Sequence, residues 1–155
     1  DIIIMDSYDN FQRYSLKDLL ARMKCPVCLV SSNATEIKTN ILLYDGSDNS
    51  IHAMETYGNL FPGLCGKKSF VLTINGGKVN KPLSQSLLQK FTNIRTLTLS
   101  GNSEIELIEF LNQHKKGTMV ITGEYGRSAI SRLFKPGLSD VIISQTTTSI
   151  FITHN

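Results

Sequence analysis

Two stretches of this 155-residue chain set acceptors and cations beside glycines, directly after apolar runs. Tyr44-Asp45-Gly46-Ser47 follows Ile41-Leu-Leu-Tyr44, and Thr122-Gly123-Glu-Tyr-Gly126-Arg127-Ser128 follows Thr118-Met-Val-Ile-Thr122. An aspartate at the end of a strand can accept hydrogen bonds from a ribose or a base, or it can cap the helix that follows. Both readings of Asp45 stand. Around Gly123 and Gly126 the missing Cβ atoms let backbone N–H groups approach a phosphate, and a helix N-terminus adds partial positive charge. Arg127, Arg132 and Lys135 would strengthen the pull on an anion. The same spacing also fits an ordinary strand-to-helix turn.

Other patterns carry less chemistry. Cys25-Pro-Val-Cys28 has redox or zinc spacing, but no second pair accompanies it and Cys28 falls in an apolar run, so both read as structural cysteines. Gly63-Leu-Cys-Gly-Lys-Lys-Ser69 imitates the end of a phosphate-binding loop, yet it precedes a strand instead of following one. His52, His114 and His154 lack partners at metal-ligand spacing, and no nucleophile elbow is present. The expectation is a binding module with no catalytic or metal centre.

These residues need elements to position them. Short, near-continuous apolar runs predict buried strands over Ile2–Met5, Val27–Val30, Ile41–Tyr44, Phe70–Ile74, Ile94–Leu99, Thr118–Thr122 and Ile150–Ile152. Helical patterns lie between them, over Ser50–Phe61, Pro82–Phe91 and Ser103–His114, with a longer one over Ser128–Gln145 bent at Pro136-Gly137. Along Ser103–His114 the pattern puts Ile105, Ile108 and Leu111 on one face, with Leu107 beside them. Strand alternating with helix predicts a doubly wound α/β fold: a parallel, five-stranded, Rossmann-like sheet with helices on both faces. Ser31 to Asn40 is polar and aperiodic, as a linker would be.

Composition narrows the function classes. A net charge of +3 is too slight for a dedicated nucleic-acid surface. No apolar run approaches the ~20 residues of a membrane span. Three cysteines make no disulfide framework, and no secretory leader is visible, so a cytoplasmic location is expected. The chain opens within an apolar run without an initiator Met, which reads as a cut through a longer protein.

The two ends also repeat. Ser15–Val30 matches Gly137–Ile152 as helix then strand, and Ile4-Met-Asp-Ser-Tyr-Asp9 matches Ile121-Thr-Gly-Glu-Tyr-Gly126. On this reading residues 1–31 are the tail of one copy, 32–39 a linker, and 40–155 a complete second copy.

Taken together, Ile41-Leu-Leu-Tyr-Asp-Gly-Ser-Asp48, Gly123-Glu-Tyr-Gly-Arg-Ser128 and Cys25-Pro-Val-Cys-Leu-Val30 resemble the opening strand and turn, the glycine loop and the closing strand of the universal stress protein family. The resemblance implies a tandem in which the last strands of the two copies, 27–31 and 149–154, pair as separate subunits do, with homo-oligomers and an unidentified protein partner as further expectations. It also implies an adenine-nucleotide site for ATP or AMP, with Mg²⁺ as a companion. Asp45 and the backbone of Ile74 would hold ribose and adenine, while Gly123, Gly126, Gly137 and Ser139 would line the phosphates.

The family's nucleotide-binding branch has Gly-Ser or Gly-Thr where this chain has Pro136-Gly137. Proline lacks the N–H that would face a phosphate, and glycine lacks the hydroxyl; Ser139 could substitute if the loop shifts. In the leading copy, Asp6 and Asp9 replace the glycines and would repel phosphate. The expected function is therefore a non-catalytic stress-response or regulatory module with a degenerate nucleotide pocket. A working ATP/AMP sensor and a purely structural dimerisation scaffold are the alternatives. On this reading, valine at Gly123 or Gly126 abolishes nucleotide binding and spares the fold.

Overall fold

Each apolar run expected to be a strand is one: β1 (Ile3–Asp6), β2 (Val27–Val30), β3 (Thr39–Tyr44), β4 (Lys68–Ile74), β5 (Ile94–Leu99), β6 (Thr118–Thr122) and β7 (Ser149–Ile152). They come from a computed structural model that describes residues 1–6, 20, 22–31, 33–74, 82–100, 103–114, 116–123 and 148–153. The expected helix over 128–145 lies outside these residues.

The strands form a single sheet in the order β1-β2-β7-β6-β3-β4-β5. Residues 39–152 supply the five strands β3 to β7, which are parallel to one another. Among the described residues the sheet nevertheless has seven strands, not the five expected, because β2 lies antiparallel beside β7 and brings β1 with it as a parallel neighbour. Antiparallel addition lets a second parallel block extend the first without a crossover between them.

Strand side chains alternate between the two faces, so one sheet builds two cores. On one face Ile41, Leu43, Phe70, Leu72 and Val120 meet Leu107 and Leu111 of helix α3 (Ser103–Gln113). On the other, Leu42, Val71, Ile121 and Phe151 meet Ala53, Met54 and Tyr57 of helix α1 (Asp48–Leu60), with Leu87 of the short helix α2 (Gln85–Lys90). Helices thus cover both faces, as expected for a doubly wound fold.

Local details differ from the sequence expectation for identifiable reasons. α1 buries Ser50, Ala53, Met54, Tyr57 and Gly58, a stripe at three- and four-residue spacing. α2 is shorter than expected because Ser84, not Pro82, starts it: the Ser84 hydroxyl accepts from the Leu87 N–H at 3.2 Å. In α3 the buried pair is Leu107 and Leu111, one turn apart, while Ile105 is left exposed.

The registers refine the expected repeat. A two-fold axis normal to the sheet relates antiparallel neighbours and keeps each residue on its own face. Val27 and Leu29 share a core with Ile150 and Ile152, and Cys28 shares the other with Phe151. Ser149, matched to Val27 in the sequence, alternates with Ile150 and so lies on the face opposite to Val27. In the parallel ladders Ile4 stands beside Cys28 and Ile121 beside Phe151.

Candidate functional site

From β3 the chain runs outward to β4 and β5, then returns to place β6 and β7 on the other side of β3. The order reverses between β3 and β6, whose carboxyl ends are neighbours. Loops part at such a switch point and open a crevice for ligands. Asp45 follows β3 directly, Gly123 follows β6, and Ile74 ends β4 opposite Leu99 of β5. Three of the residues singled out from the sequence therefore stand on one edge of the sheet. Gly126, Gly137 and Ser139, with Pro136, lie outside the described residues.

The Asp45 turn is built by its own side chains. Asp45 Oδ1 accepts from the Ser47 N–H at 3.0 Å and from the Ser47 hydroxyl at 2.6 Å. Ser47 then caps α1, its Oγ accepting from the Ser50 N–H at 3.2 Å. Gly46 between them has φ 81°, a left-handed conformation that side chains disfavour. Of the two roles left open for Asp45, capping thus belongs to Ser47, and Asp45 orients the cap while remaining an exposed carboxylate near a helix N-terminus.

Partial burial pushes the Asp45 carboxyl up, but hydrogen bonds from Ser47, Ser50 and its own backbone outweigh this and hold it below the ordinary carboxylate value. A depressed pKa means the charged form is favoured by folding. Its contribution is present at neutral pH and lost as pH falls through the folded-state value. Asp45→Asn is accordingly expected to lower stability at pH 7, and the difference from the parent should fade in acid. Urea titrations at pH 7 and pH 3 measure both; equal gaps at the two pH values would contradict it.

Gly123 is needed for a different reason from the one its motif suggests. A Cβ there would lie 2.5 Å from the Asn49 carbonyl oxygen and 2.9 Å from the Ser50 nitrogen, both backbone atoms of α1's first turn. The glycine lets the end of β6 and the start of α1 touch. Valine at Gly123 would therefore disturb the fold itself, contrary to the expectation that the fold is spared.

The sequence missed a buried polar centre at the opposite edge. Asn40, read as the end of a linker, lies within β3 and is 0% exposed. Its Nδ2 donates to the Leu64 carbonyl at 2.8 Å and to Ser69 Oγ at 3.1 Å, and its Oδ1 accepts from the Tyr57 hydroxyl at 2.9 Å. Only the alternation of β3, extended back by two residues, could have hinted at this. The phosphate-loop look-alike is absorbed here: Leu64 and Ser69 serve Asn40, Cys65 is buried, and Lys67 pairs with Glu36 at 3.0 Å.

Cys28 is buried on the sheet, where desolvation pushes its thiol up to about 11, and Cys25 precedes β2 half-buried. Among the described residues, no three His, Cys, Asp or Glu side chains stand together as a metal would need. No described helix is long and apolar enough to cross a membrane.

No protein-family model and no curated protein sequence matches the chain. Solved structures do. A universal stress protein from Archaeoglobus fulgidus DSM 4304 superposes with a TM-score of 0.66 at 13% identity, over 99% of this chain and 60% of its own. A universal stress protein in complex with cAMP gives 0.54 at 18% identity, over 77% of this chain and 98% of its own. The fold is that of the universal stress proteins. The universal stress protein UspA from Lactobacillus plantarum gives 0.52 at 11% identity, over 77% of this chain and 99% of its own. This chain therefore holds more than one such protein aligns to, and spans 60% of the length of another. At these identities the universal-stress-protein likeness concerns the arrangement of the chain.

Proposed function

We propose that the chain is a universal-stress-type binding module whose ligand is an adenine nucleotide held at the β3/β6 switch point. The observation that carries this is the meeting of Asp45, Gly123 and the N-terminus of α1 at that one crevice. An acceptor at the end of β3 suits ribose hydroxyls, and a helix start suits an anion. One structure sharing the fold was solved in complex with cAMP, which supports the ligand class. Asp45 and the Ile74 backbone would face ribose and adenine, and Gly123, Gly126, Gly137 and Ser139 the phosphates, with Mg²⁺ as a companion. The chemistry is recognition, not catalysis.

A second reading, a structural scaffold with a decayed pocket, is favoured by Pro136-Gly137 in place of a glycine and a hydroxyl residue. The same proposal includes the tandem: residues 1–31 as the tail of one copy and 40–155 as the next, joined through β2 and β7. The antiparallel pairing of Val27 with Ile152 and of Leu29 with Ile150, with matching faces on both strands, supports it.

Calorimetric titration with ATP, AMP and cAMP, with and without Mg²⁺, tests the site on the parent chain and on a Pro136→Gly/Gly137→Ser double variant. Binding by the parent is the expected result for a sensor. Binding by the double variant alone would leave the scaffold reading, and binding by neither would reject the nucleotide site.

A further inference from the structure

The edge where β3, β4 and β6 begin, away from the crevice, gathers like charge. Lys38 precedes β3, Lys67 and Lys68 stand at the start of β4, and Lys116 lies just ahead of β6. Register brings them together: Thr39, next to Lys38, pairs with Lys68 on one side and with Thr118 on the other. Three adjacent strand starts span roughly 10 Å. Lys38, Lys68 and Lys116 are exposed and make no ion pair among the described residues, while Lys67 pairs with Glu36 at 3.0 Å. Lys67 first, and then the charge of Lys38, hold the Glu36 carboxyl below its ordinary value.

These lysines stand on fixed backbone. Gly117 turns with φ 65°, and its carbonyl accepts from the Lys38 N–H at 2.7 Å and the Thr39 N–H at 3.1 Å, which ties Lys116 to Lys38. The Lys67 N–H donates to the Leu64 carbonyl at 3.1 Å, and Lys68 Nζ lies 4.7 Å from the centre of the Phe70 ring. Like charges held in this way repel one another, a cost that an anionic partner removes.

We propose that this edge docks an acidic peptide segment, laid in extended form across the starts of β6, β3 and β4. The chemistry selects that partner. The N–H groups of Lys38, Thr39 and Lys67 are spent inside the fold, so a lone phosphate meets no cradle of backbone donors there, only ammonium groups spread along a line. Alternate carboxylates of an extended peptide stand about 7 Å apart, and two or three of them match that line. A nucleic-acid strand would ask for a longer track of cations and for open rings on which bases stack, whereas Phe70 is buried against Lys68. Glu36 shows the mode of binding, one carboxylate seated on Lys67, and it competes with the guest.

Fluorescence anisotropy of a labelled peptide of four Glu-Ser repeats, titrated with the 155-residue chain, tests the surface, with a Gln-Ser peptide of the same length as the blank. Saturable binding of the Glu-Ser peptide alone is expected at about 20 mM salt, where the Debye length exceeds the width of the patch. At about 200 mM, where it does not, binding should be about tenfold weaker. Lys38→Glu and, separately, Lys116→Glu should each weaken binding about fivefold or more, and Glu36→Gln should tighten it about twofold by removing the competitor. Lys24→Glu makes the same change in net charge at the other edge, where the start of β2 lies beside Ile152, and should shift affinity by less than about twofold. No binding by the parent, or equal losses from Lys38→Glu and Lys24→Glu, overturns the proposal. Tighter binding of a short oligothymidylate or of phosphatidylserine vesicles than of the peptide also overturns it, and would give the edge to nucleic acid or to a membrane surface. Circular dichroism checks that each variant is folded, and the two substitutions at different strand starts keep the test decisive if one is not.

Discussion

Gly123→Ala is expected to destabilise the protein by about 3 kcal/mol, although it adds a single methyl group. The new Cβ would meet the Asn49 carbonyl oxygen at 2.5 Å, inside any tolerable contact. Overpacking against a side chain is relieved when that side chain turns away, but a carbonyl in the first turn of a helix can move only with the helix. α1 would have to lift from β6, which loosens Ala53, Met54 and Tyr57 from their core and separates the two walls of the crevice. Denaturant titration measures the loss, and a change below about 0.5 kcal/mol, the size of an ordinary surface substitution, would contradict the packing argument. Reduced nucleotide affinity in this variant would report the displaced helix together with any lost phosphate contact.

Asn40→Ala is expected to cost about 2–3 kcal/mol, since it strands the buried Tyr57 hydroxyl and takes one hydrogen bond each from the Leu64 carbonyl and Ser69 Oγ. The Tyr57 hydroxyl would lose its acceptor, the Leu64 carbonyl would keep only the Lys67 N–H at 3.1 Å, and Ser69 Oγ, which donates to the Lys67 carbonyl at 3.0 Å, would lose one bond. Tyr57 cannot escape by ionising, because burial pushes its hydroxyl pKa well above the ordinary value. Tyr57→Phe removes only one member and leaves Asn40 Oδ1 short of a donor, so a loss of about 1–2 kcal/mol is expected. Combining the two should cost less than the sum, because the interaction they share is counted in both single variants. Strict additivity in denaturant titrations would show that the Asn40–Tyr57 bond contributes nothing. The network ties β3, α1 and the start of β4 together at the edge away from the crevice, so ligand affinity is the property least changed at temperatures where the variants remain folded.

The strands were legible because burial on both faces demands unbroken apolar runs, and Ile41–Tyr44, Phe70–Ile74 and Thr118–Thr122 each supply one. Helix ends were less legible: whether Ser84 or Pro82 starts α2 depends on which hydroxyl reaches a backbone N–H, which composition does not state. Asn40 was misread because a polar residue beside a polar stretch looks like linker until its three partners, far off in sequence, are brought to it. Asp45 and Gly123 could be named from loops that follow strands, since the carboxyl edge of a parallel sheet gathers such loops in one place, whereas Ile74, inside β4, was named only through the family resemblance.

By itself the sequence determined the α/β class, the strand positions and the residues that line that edge, because period and glycine placement are local properties. Only the tertiary structure decided that the described strands form one seven-stranded sheet, that Val27 shares a core with Ile150, and that Gly123 makes a close backbone contact. Those outcomes depend on which distant backbone arrives at a given edge or face. That choice is made by the packing of all the elements together, which no local window of residues encodes.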